Sequence, residues 1–482
     1  TTVRRTAEIF LFDADDYEVL LAKYGINGIW DTVDEKDPLK VIKSAEEKHE
    51  EVIKALEKVL GKAPQWLYDL KLRDATARPM DHRRMSNNSV AFEAKPSRDM
   101  LNLMFTIMQN EGEPGFVNLE EAARRVSKAL GVERPSREFL KTLMSQLGLN
   151  PCVEIILFSK NVCNLTTVNV KSFVKEDNTL DLEGLTRAQQ LSARIGLRMT
   201  LTELELPEWD KVQKRDRLLG TSLTGWKDAM SSLGYTKEQE DKLKEHLHKT
   251  AREEADKYSK SLRVNAPLLV TAVKPEGTLS QVAGGVSSGL HWAHAPYYIR
   301  RVRINATDPL VDVVKELGWR IHAEVGTEYK GTKYHDVDNL SRKEVVESAR
   351  TVVIDFPVKS GASVTNEDIT VEEQFDNYFS FQDKYTEHNT SNTITVKPDE
   401  WKKAEEIVWN GWDNFVGVSF LAHDGGSYTL APLEAISKEE YEARKAELTP
   451  FEPMLLRKYE KAETDADLST MEACSSGACP IR

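Results

Sequence analysis

The most reactive arrangement in this chain is a thiol set between a carboxamide and a carboxylate, Asn150-Pro-Cys152-Val-Glu154. Pro151 disfavours helix at Asn150, so these residues read as the end of a loop feeding an apolar strand at Val153–Phe158. Side chains two apart on an extended backbone point the same way, which predicts one face shared by Asn150, Cys152 and Glu154. A thiol so flanked is an odd choice for a core and a sensible one for a site. The plainer alternative is a buried cysteine near a strand end, with Glu154 in solvent. A second thiol, Cys163, follows eleven residues after Cys152, and Cys474 and Cys479 sit within the last nine residues.

Cys474-Ser-Ser-Gly-Ala-Cys479-Pro-Ile-Arg places two thiols five apart among small residues. Such a pair can close a ring and can travel, which suits a shuttle working by thiol–disulfide exchange. Zinc is the competing use, since four thiolates can bind it tetrahedrally. An eleven-residue separation across a predicted strand makes a poor zinc knuckle, and no metal ligand is assigned. Elsewhere Val273-Lys-Pro275-Glu276-Gly277-Thr278-Leu279-Ser280 follows an apolar run. At a strand-to-helix junction these residues can expose backbone amides beside a helix dipole. A plain turn reads the same way.

Together these motifs resemble the ribonucleotide reductases, and especially the monomeric adenosylcobalamin-dependent ribonucleoside-triphosphate reductases. Asn-x-Cys-x-Glu with a second cysteine eleven residues on is similar to that family's finger loop. The resemblance implies that Cys152 becomes a thiyl radical and takes the ribose 3′-hydrogen. Glu154 would take the 3′-hydroxyl proton, Asn150 would hold the hydroxyls, and Cys163 would be half of the reducing dithiol. Cys474 and Cys479 would be the redox shuttle of the tail. Residues Pro275, Glu276, Gly277, Thr278, Leu279 and Ser280 would form the substrate-phosphate loop, supported by Gly284–Gly289 and Tyr297-Tyr-Ile-Arg-Arg301. Val3–Ile9 and His82-Arg-Arg-Met-Ser-Asn-Asn88-Ser89 look like an early barrel strand and a base-reading loop. Asn88 and Ser89 would then touch substrate, while Arg83 and Arg84 would relay effector identity.

Those residues need a scaffold. Strand-like runs occur at Glu8–Phe12, Ser89–Glu93, Val153–Phe158, Pro267–Val273, Thr351–Val358 and Thr390–Val396. Helix-periodic stretches separate them, at Lys40–Leu60, Ser97–Gln109, Leu119–Ala129, Ser136–Leu147, Thr186–Thr202, Lys237–Ser261 and Val371–Lys384. Single strands alternating with helices predict parallel pairing in an α/β fold. The resemblance narrows this to a ten-stranded reductase-type α/β barrel with a central finger loop. The expected layout is a catalytic barrel over 1–437, a charged helical connector over 438–461 and a flexible redox-active tail over 462–482.

The chain has 482 residues, 40% hydrophobic and 30% charged, as soluble globular proteins have. Its net charge of −13 argues against a sequence-independent nucleic-acid binder. No run of eighteen apolar residues and no leader pattern occurs, so a cytoplasmic protein without membrane contact is expected. Four cysteines in this length are no disulfide scaffold.

Oxygen-dependent reductases receive their radical through adjacent tyrosines near the C-terminus. Here that stretch reads Asp424-Gly-Gly-Ser-Tyr428-Thr-Leu-Ala-Pro432, with one tyrosine. The resemblance therefore implies adenosylcobalamin as cofactor and a ribonucleoside triphosphate as substrate. A class I-type large subunit acting on diphosphates is the runner-up, and a zinc-binding non-enzyme the third reading. A thioredoxin-like reductant would recharge the tail. No cysteine precedes Cys152, although the family's dithiol has one on its first barrel strand. That strand, and most of the deoxynucleotide effector site, are expected in an N-terminal segment of the same enzyme. Thr1 at the start fits that expectation, and the chain alone is expected to turn over poorly.

Overall fold

A computed structural model describes residues 9–21, 38–69, 87–111, 114–324, 327–329, 332–333, 349–360, 362, 364–423 and 430–459. The strands in chain order begin with β1 (Phe10–Phe12), β2 (Asn88–Phe92), β3 (Gly115–Asn118), β4 (Leu147–Leu149), β5 (Ile156–Phe158), β6 (Leu165–Asn169) and β7 (Gly220–Thr224). They continue with β8 (Tyr297–Asn305), β9 (Ile321–Ala323), β10 (Glu328–Tyr329), β11 (Thr332–Lys333), β12 (Thr351–Lys359), β13 (Thr393–Val396), β14 (Gly417–Ala422) and β15 (Leu433–Ala435). Two compact units are drawn from these, one from residues 1–296 with 360–427, the other from 297–359 with 428–482.

In the first unit β1, β2 and β3 pair in parallel. β3 then meets β14 antiparallel, and β14 pairs with β13 in parallel. Parallel bridges Val273↔Thr390 and Thr221↔Thr271 carry the succession from the approach to β13 back to β7, which pairs in parallel with β6. The result is an arc of two parallel runs joined antiparallel, open among the described residues. Uniform parallel pairing is thereby corrected. The alternation rule speaks of strands joined by one crossover helix, whereas β3 and β14 lie far apart in sequence.

Helices cover this arc where the periodicity predicts them. Lys237–Leu262 starts with a capping box between Thr236 and Gln239 and buries Leu243, Leu247, Ala251 and Ala255 at four-residue spacing. It lies along the helix Leu182–Met199. Under β2, β3 and β14 the core is aromatic. Phe92 meets Trp412 edge to face at 5.2 Å, and Phe105 meets Phe420 at 5.2 Å. Each ring's positive edge faces a negative face there, which adds to the burial of large apolar area.

Within the second unit every named pairing is antiparallel. β8 runs beside β12 from Asn305↔Thr351 to Tyr297↔Lys359, flanked by β15 and β9. Arg301 on β8 reaches Asp355 on β12 at 3.1 Å, and Arg444 from the helix Lys438–Glu447 reaches the same carboxylate at 3.3 Å. These charges pair across the sheet. That helix and β15 thus belong with β8 and β12, so the compact units do not divide at residue 437.

Candidate active site

β4 and β5 form an antiparallel hairpin, and its tip is the segment 150–155. The tip is a turn, not the extended strand expected from Val153 onward. Pro151 fixes one dihedral, and the Asn150 Oδ1 accepts the Ile155 N–H at 2.9 Å, bridging the two ends of the turn. The Val153 N–H donates to the Asn150 carbonyl at 2.8 Å, and Val153 itself has φ +64. A β-branched residue in that region is strained and stays only where its surroundings hold it.

The surroundings do hold it. Asn389, fully buried, donates from Nδ2 to the Val153 carbonyl at 2.8 Å and from its backbone to the Glu154 carbonyl at 3.1 Å. His388 accepts the Ile156 N–H on Nδ1 at 3.1 Å and donates from Nε2 to the Leu219 carbonyl at 2.8 Å. Burial lowers its pKa to about 4, so it stays neutral. Two glycines give room: a Cβ on Gly417 would lie 2.3 Å from Val153 Cγ1, and one on Gly220 would lie 2.6 Å from Ile155 Cδ1.

This left-handed step turns neighbours to opposite sides, so the expected common face is not formed. Cys152 is exposed while Glu154 is buried, which also removes the alternative of a buried cysteine beside a solvated acid. Asn150 holds the set together, with Nδ2 at 3.7 Å from Cys163 Sγ and its side chain reaching the Glu154 carboxylate. Burial pushes the Glu154 carboxyl above the usual glutamate range. Hydrogen bonds from its own backbone and Asn150, with the Lys274 charge, pull it part of the way back, and Glu276 opposes them. The half-buried Cys163 thiol is pushed up to about 12, first by burial and then by the Glu154 charge. At neutral pH it is a thiol, able to give a hydrogen atom, and a poor thiolate nucleophile.

Three buried oxygens here lack a hydrogen-bond partner: Glu154 Oε2, Glu276 Oε2 and Asn87 Oδ1. Asn87 meanwhile donates from Nδ2 to the Pro151 carbonyl at 2.7 Å, which ties the start of β2 to the turn. Glu276 accepts from Thr167 Oγ1 at 2.5 Å and lies 3.8 Å from Lys274 Nζ. All three oxygens act as acceptors when the acids are ionised. Buried acceptors left open cost about 1–3 kcal/mol each, so a hydrogen-bond donor brought to any of them would be stabilised.

A family model for the ribonucleotide reductase barrel domain matches residues 29–266. An adenosylcobalamin-dependent ribonucleoside-triphosphate reductase from Lactobacillus acidophilus is 27% identical over 446 residues, 86% of this chain and 55% of that protein. The one from Lactobacillus leichmannii is 28% identical over 432 residues, 84% of this chain and 54% of that protein. The crystal structure of a B12-dependent class II ribonucleotide reductase aligns with TM-score 0.63 and 25% identity, covering 85% of this chain and 57% of that one. Over most of its length this chain is similar to cobalamin-dependent ribonucleotide reductases. It spans about half the length of the curated relatives it matches.

Against that family's pattern, the finger turn brings Asn150, Glu154 and Cys163 into contact and sets Cys152 at its tip. In the loop after residue 273, Gly277, Thr278 and Leu279 are exposed, Pro275 is half-buried, and Glu276 and Ser280 turn inward. Ser280 Oγ bonds the Ser288 hydroxyl at 3.1 Å. Asn88 and Ser89 are buried on β2, directly after Asn87. Arg83, Arg84, Tyr428, Cys474 and Cys479 lie outside the described residues.

Sequence reasoning placed Asn87 and Lys274 inside motifs without giving them a role, and missed His388 and Asn389. One signal was available: Glu387–Ser391 is a polar run leading straight into a strand with no glycine or proline to mark a turn. Among the described residues no group of three or more His, Cys, Asp or Glu is placed to hold a metal ion. No described helix is long and apolar enough to cross a membrane.

Proposed function

We propose that this chain carries the radical-bearing half of an adenosylcobalamin-dependent ribonucleoside-triphosphate reductase. The observation that carries the reading is the finger turn itself. An exposed thiol at its tip backs onto a buried carboxyl, a carboxamide and a second thiol, with open acceptors beside them. A sugar brought to that tip would meet Cys152 Sγ first and could place its hydroxyls on Glu154 Oε2 and the neighbouring acceptors.

When bound, adenosylcobalamin supplies the initiating radical. The exposed Cys152 sulfur fits that group, because a bulky cofactor can reach the tip more readily than the half-buried Cys163. His291 offers no ring nitrogen to cobalt: Nδ1 donates to the Ser288 carbonyl at 2.9 Å and Nε2 accepts the Thr393 N–H at 3.3 Å.

As a thiyl, Cys152 removes the ribose 3′-hydrogen and forms S–H. Glu154 accepts the 3′-hydroxyl proton while the 2′-hydroxyl leaves as water. Two electrons and two protons come from Cys163 and a second thiol, which close a disulfide. The hydrogen held on Cys152 then returns to the 3′ carbon, restoring the thiyl, and Glu154 gives its proton back to the 3′ oxygen. Cys163 must stay protonated until it donates, and its raised pKa keeps it so. Cys474 and Cys479 would re-reduce the disulfide and pass the oxidation to a thioredoxin-like protein. Deoxynucleotide effectors would act through Arg83 and Arg84 and an N-terminal segment, in the cytoplasm.

The test is deoxynucleotide formation from ribonucleoside triphosphates with adenosylcobalamin and dithiol, with and without an N-terminal reductase segment added in trans. Product from the wild type and none from Cys152→Ser supports the reading. Product that survives Cys152→Ser, or no product in either arrangement, overturns it.

A further inference from the structure

Glu387, His388 and Asn389 are consecutive, and their side chains reach different neighbours. His388 and Asn389 hold the finger turn through the Ile156 N–H and the Val153 carbonyl. Glu387 instead meets Arg252, in the middle of the helix Lys237–Leu262. Arg252 Nε donates to Glu387 Oε1 at 2.9 Å and Nη2 donates to Oε2, so guanidinium and carboxylate meet as a fork. The same guanidinium donates to the Pro267 carbonyl at 2.8 Å and to the Leu268 carbonyl at 3.2 Å. Glu387 Oε2 also accepts the Val270 N–H at 2.7 Å, and the Glu387 N–H donates to the Thr271 carbonyl at 3.1 Å. One ion pair thus ties a helix, the run 267–271 and residue 387 into a single frame.

That frame reaches the finger turn without a break. The His388 N–H donates to the same Thr271 carbonyl at 3.0 Å, and the Asn389 N–H donates to the Glu154 carbonyl at 3.1 Å. The Val273 N–H closes the link on the Asn389 carbonyl at 3.2 Å. A shift of Glu387 therefore displaces the next two residues, which are the ones that grip Ile156 and Val153. Arg252 itself bonds Glu387, Asp256 and two carbonyls, none of them part of the finger turn. Net stability explains such a pair poorly, because taking two charges out of water offsets most of their attraction. A planar fork with fixed donor directions does define position.

We propose that Arg252 and Glu387 are positioning residues for the reaction: their ion pair places His388 and Asn389, and through them the turn that carries Cys152 and Glu154. The chemistry in this statement rests on the reductase reading, and the placement rests on the hydrogen bonds alone.

Amide hydrogen exchange, read by peptide mass spectrometry on the chain alone, tests the placement. Arg252→Met and Glu387→Gln should each speed exchange at residues 153–156 by at least about tenfold, while the helix Arg98–Glu111 exchanges as in the wild type. An unchanged rate at 153–156, or an equal gain in both places, overturns the proposal. Arg252→Lys keeps the charge and loses the fork. It should fall between, and it takes the place of Arg252→Met if that variant does not fold.

Turnover supplies the second readout, in the protein joined by the N-terminal reductase segment. Both variants should lower kcat at least about tenfold and leave KM within about twofold, because the thiol is misplaced while substrate contacts stand. A raised KM at constant kcat overturns the positioning role. Should the wild type form no deoxynucleotide, the reductase reading fails, and the exchange rates still decide whether this pair holds the turn.

Discussion

Replacing Gly417 by alanine places a methyl group where Val153 already sits. The added carbon would stand 2.3 Å from Val153 Cγ1 and 3.3 Å from the Phe116 carbonyl oxygen. Ordinary carbon contacts need about 3.5 Å, so Val153 must withdraw by roughly 1 Å. Neither neighbour yields easily, since Val153 is pinned by Asn389 and residue 116 is in β3. Overpacking of this kind costs about 1–3 kcal/mol. Val153 separates Cys152 from Glu154, so the same displacement misaligns thiol and acid. A shift of 1 Å at reacting groups costs about a hundredfold in rate. The expected outcome is a fall of about 1–3 °C in unfolding temperature and, under the proposed activity, a loss near two orders of magnitude in deoxynucleotide formation. Adding Val153→Ala removes the clashing carbon and should recover part of both. A double-mutant cycle reads this as a coupling of at least about 1 kcal/mol. Additive effects would refute the contact and the argument built on it.

Three further outcomes follow from the same geometry. Cys163 should alkylate about a thousandfold more slowly at pH 8 than in the unfolded chain, because a thiol raised to about 12 holds that much less thiolate than one near 9; equal rates in residue-resolved labelling would contradict its burial. His388 has a folded pKa near 4 against 6.5 unfolded, so its contribution to stability is complete above the unfolded value and is lost as the pH falls toward 4. That window is worth about 3 kcal/mol, and His388→Gln should flatten the dependence of unfolding temperature on pH between those values. Asn389→Ala leaves the Val153 and Gly417 carbonyls short of a donor and should destabilise the chain by about 2–4 kcal/mol in denaturant titration; a neutral result would mean that the turn is not held from there.

Local chemistry made much of this protein legible. Helices such as Val371–Lys384 carry their own start signals, here a capping box between Thr370 and Glu373, and their apolar spacing needs no partner to be read. Strands were harder. Gly115–Asn118, Leu165–Asn169 and Gly220–Thr224 are short and rich in Gly, Thr, Ser or Asn, so neither alternation nor an apolar run marks them. They are strands because a neighbour takes their hydrogen bonds. Tyr297–Asn305 carries three arginines and extends nonetheless, with Arg301 paired to Asp355 across the sheet.

The site divides the same way. Asn150, Cys152, Glu154 and Cys163 announce themselves, because a thiol, an acid and an amide within a few residues of Pro151 form one local turn. Their orientation is another matter. Whether Cys152 and Glu154 share a face depends on a single dihedral at Val153, and that dihedral is held by Asn389 and by the bare Cα of Gly417. The inward turn of Glu276 likewise depends on Thr167 and Lys274. The order of residues determined which reactive groups this protein owns and which helices surround them. Only the folded chain decided which of those groups meet, because burial and charge act between atoms that sequence leaves far apart.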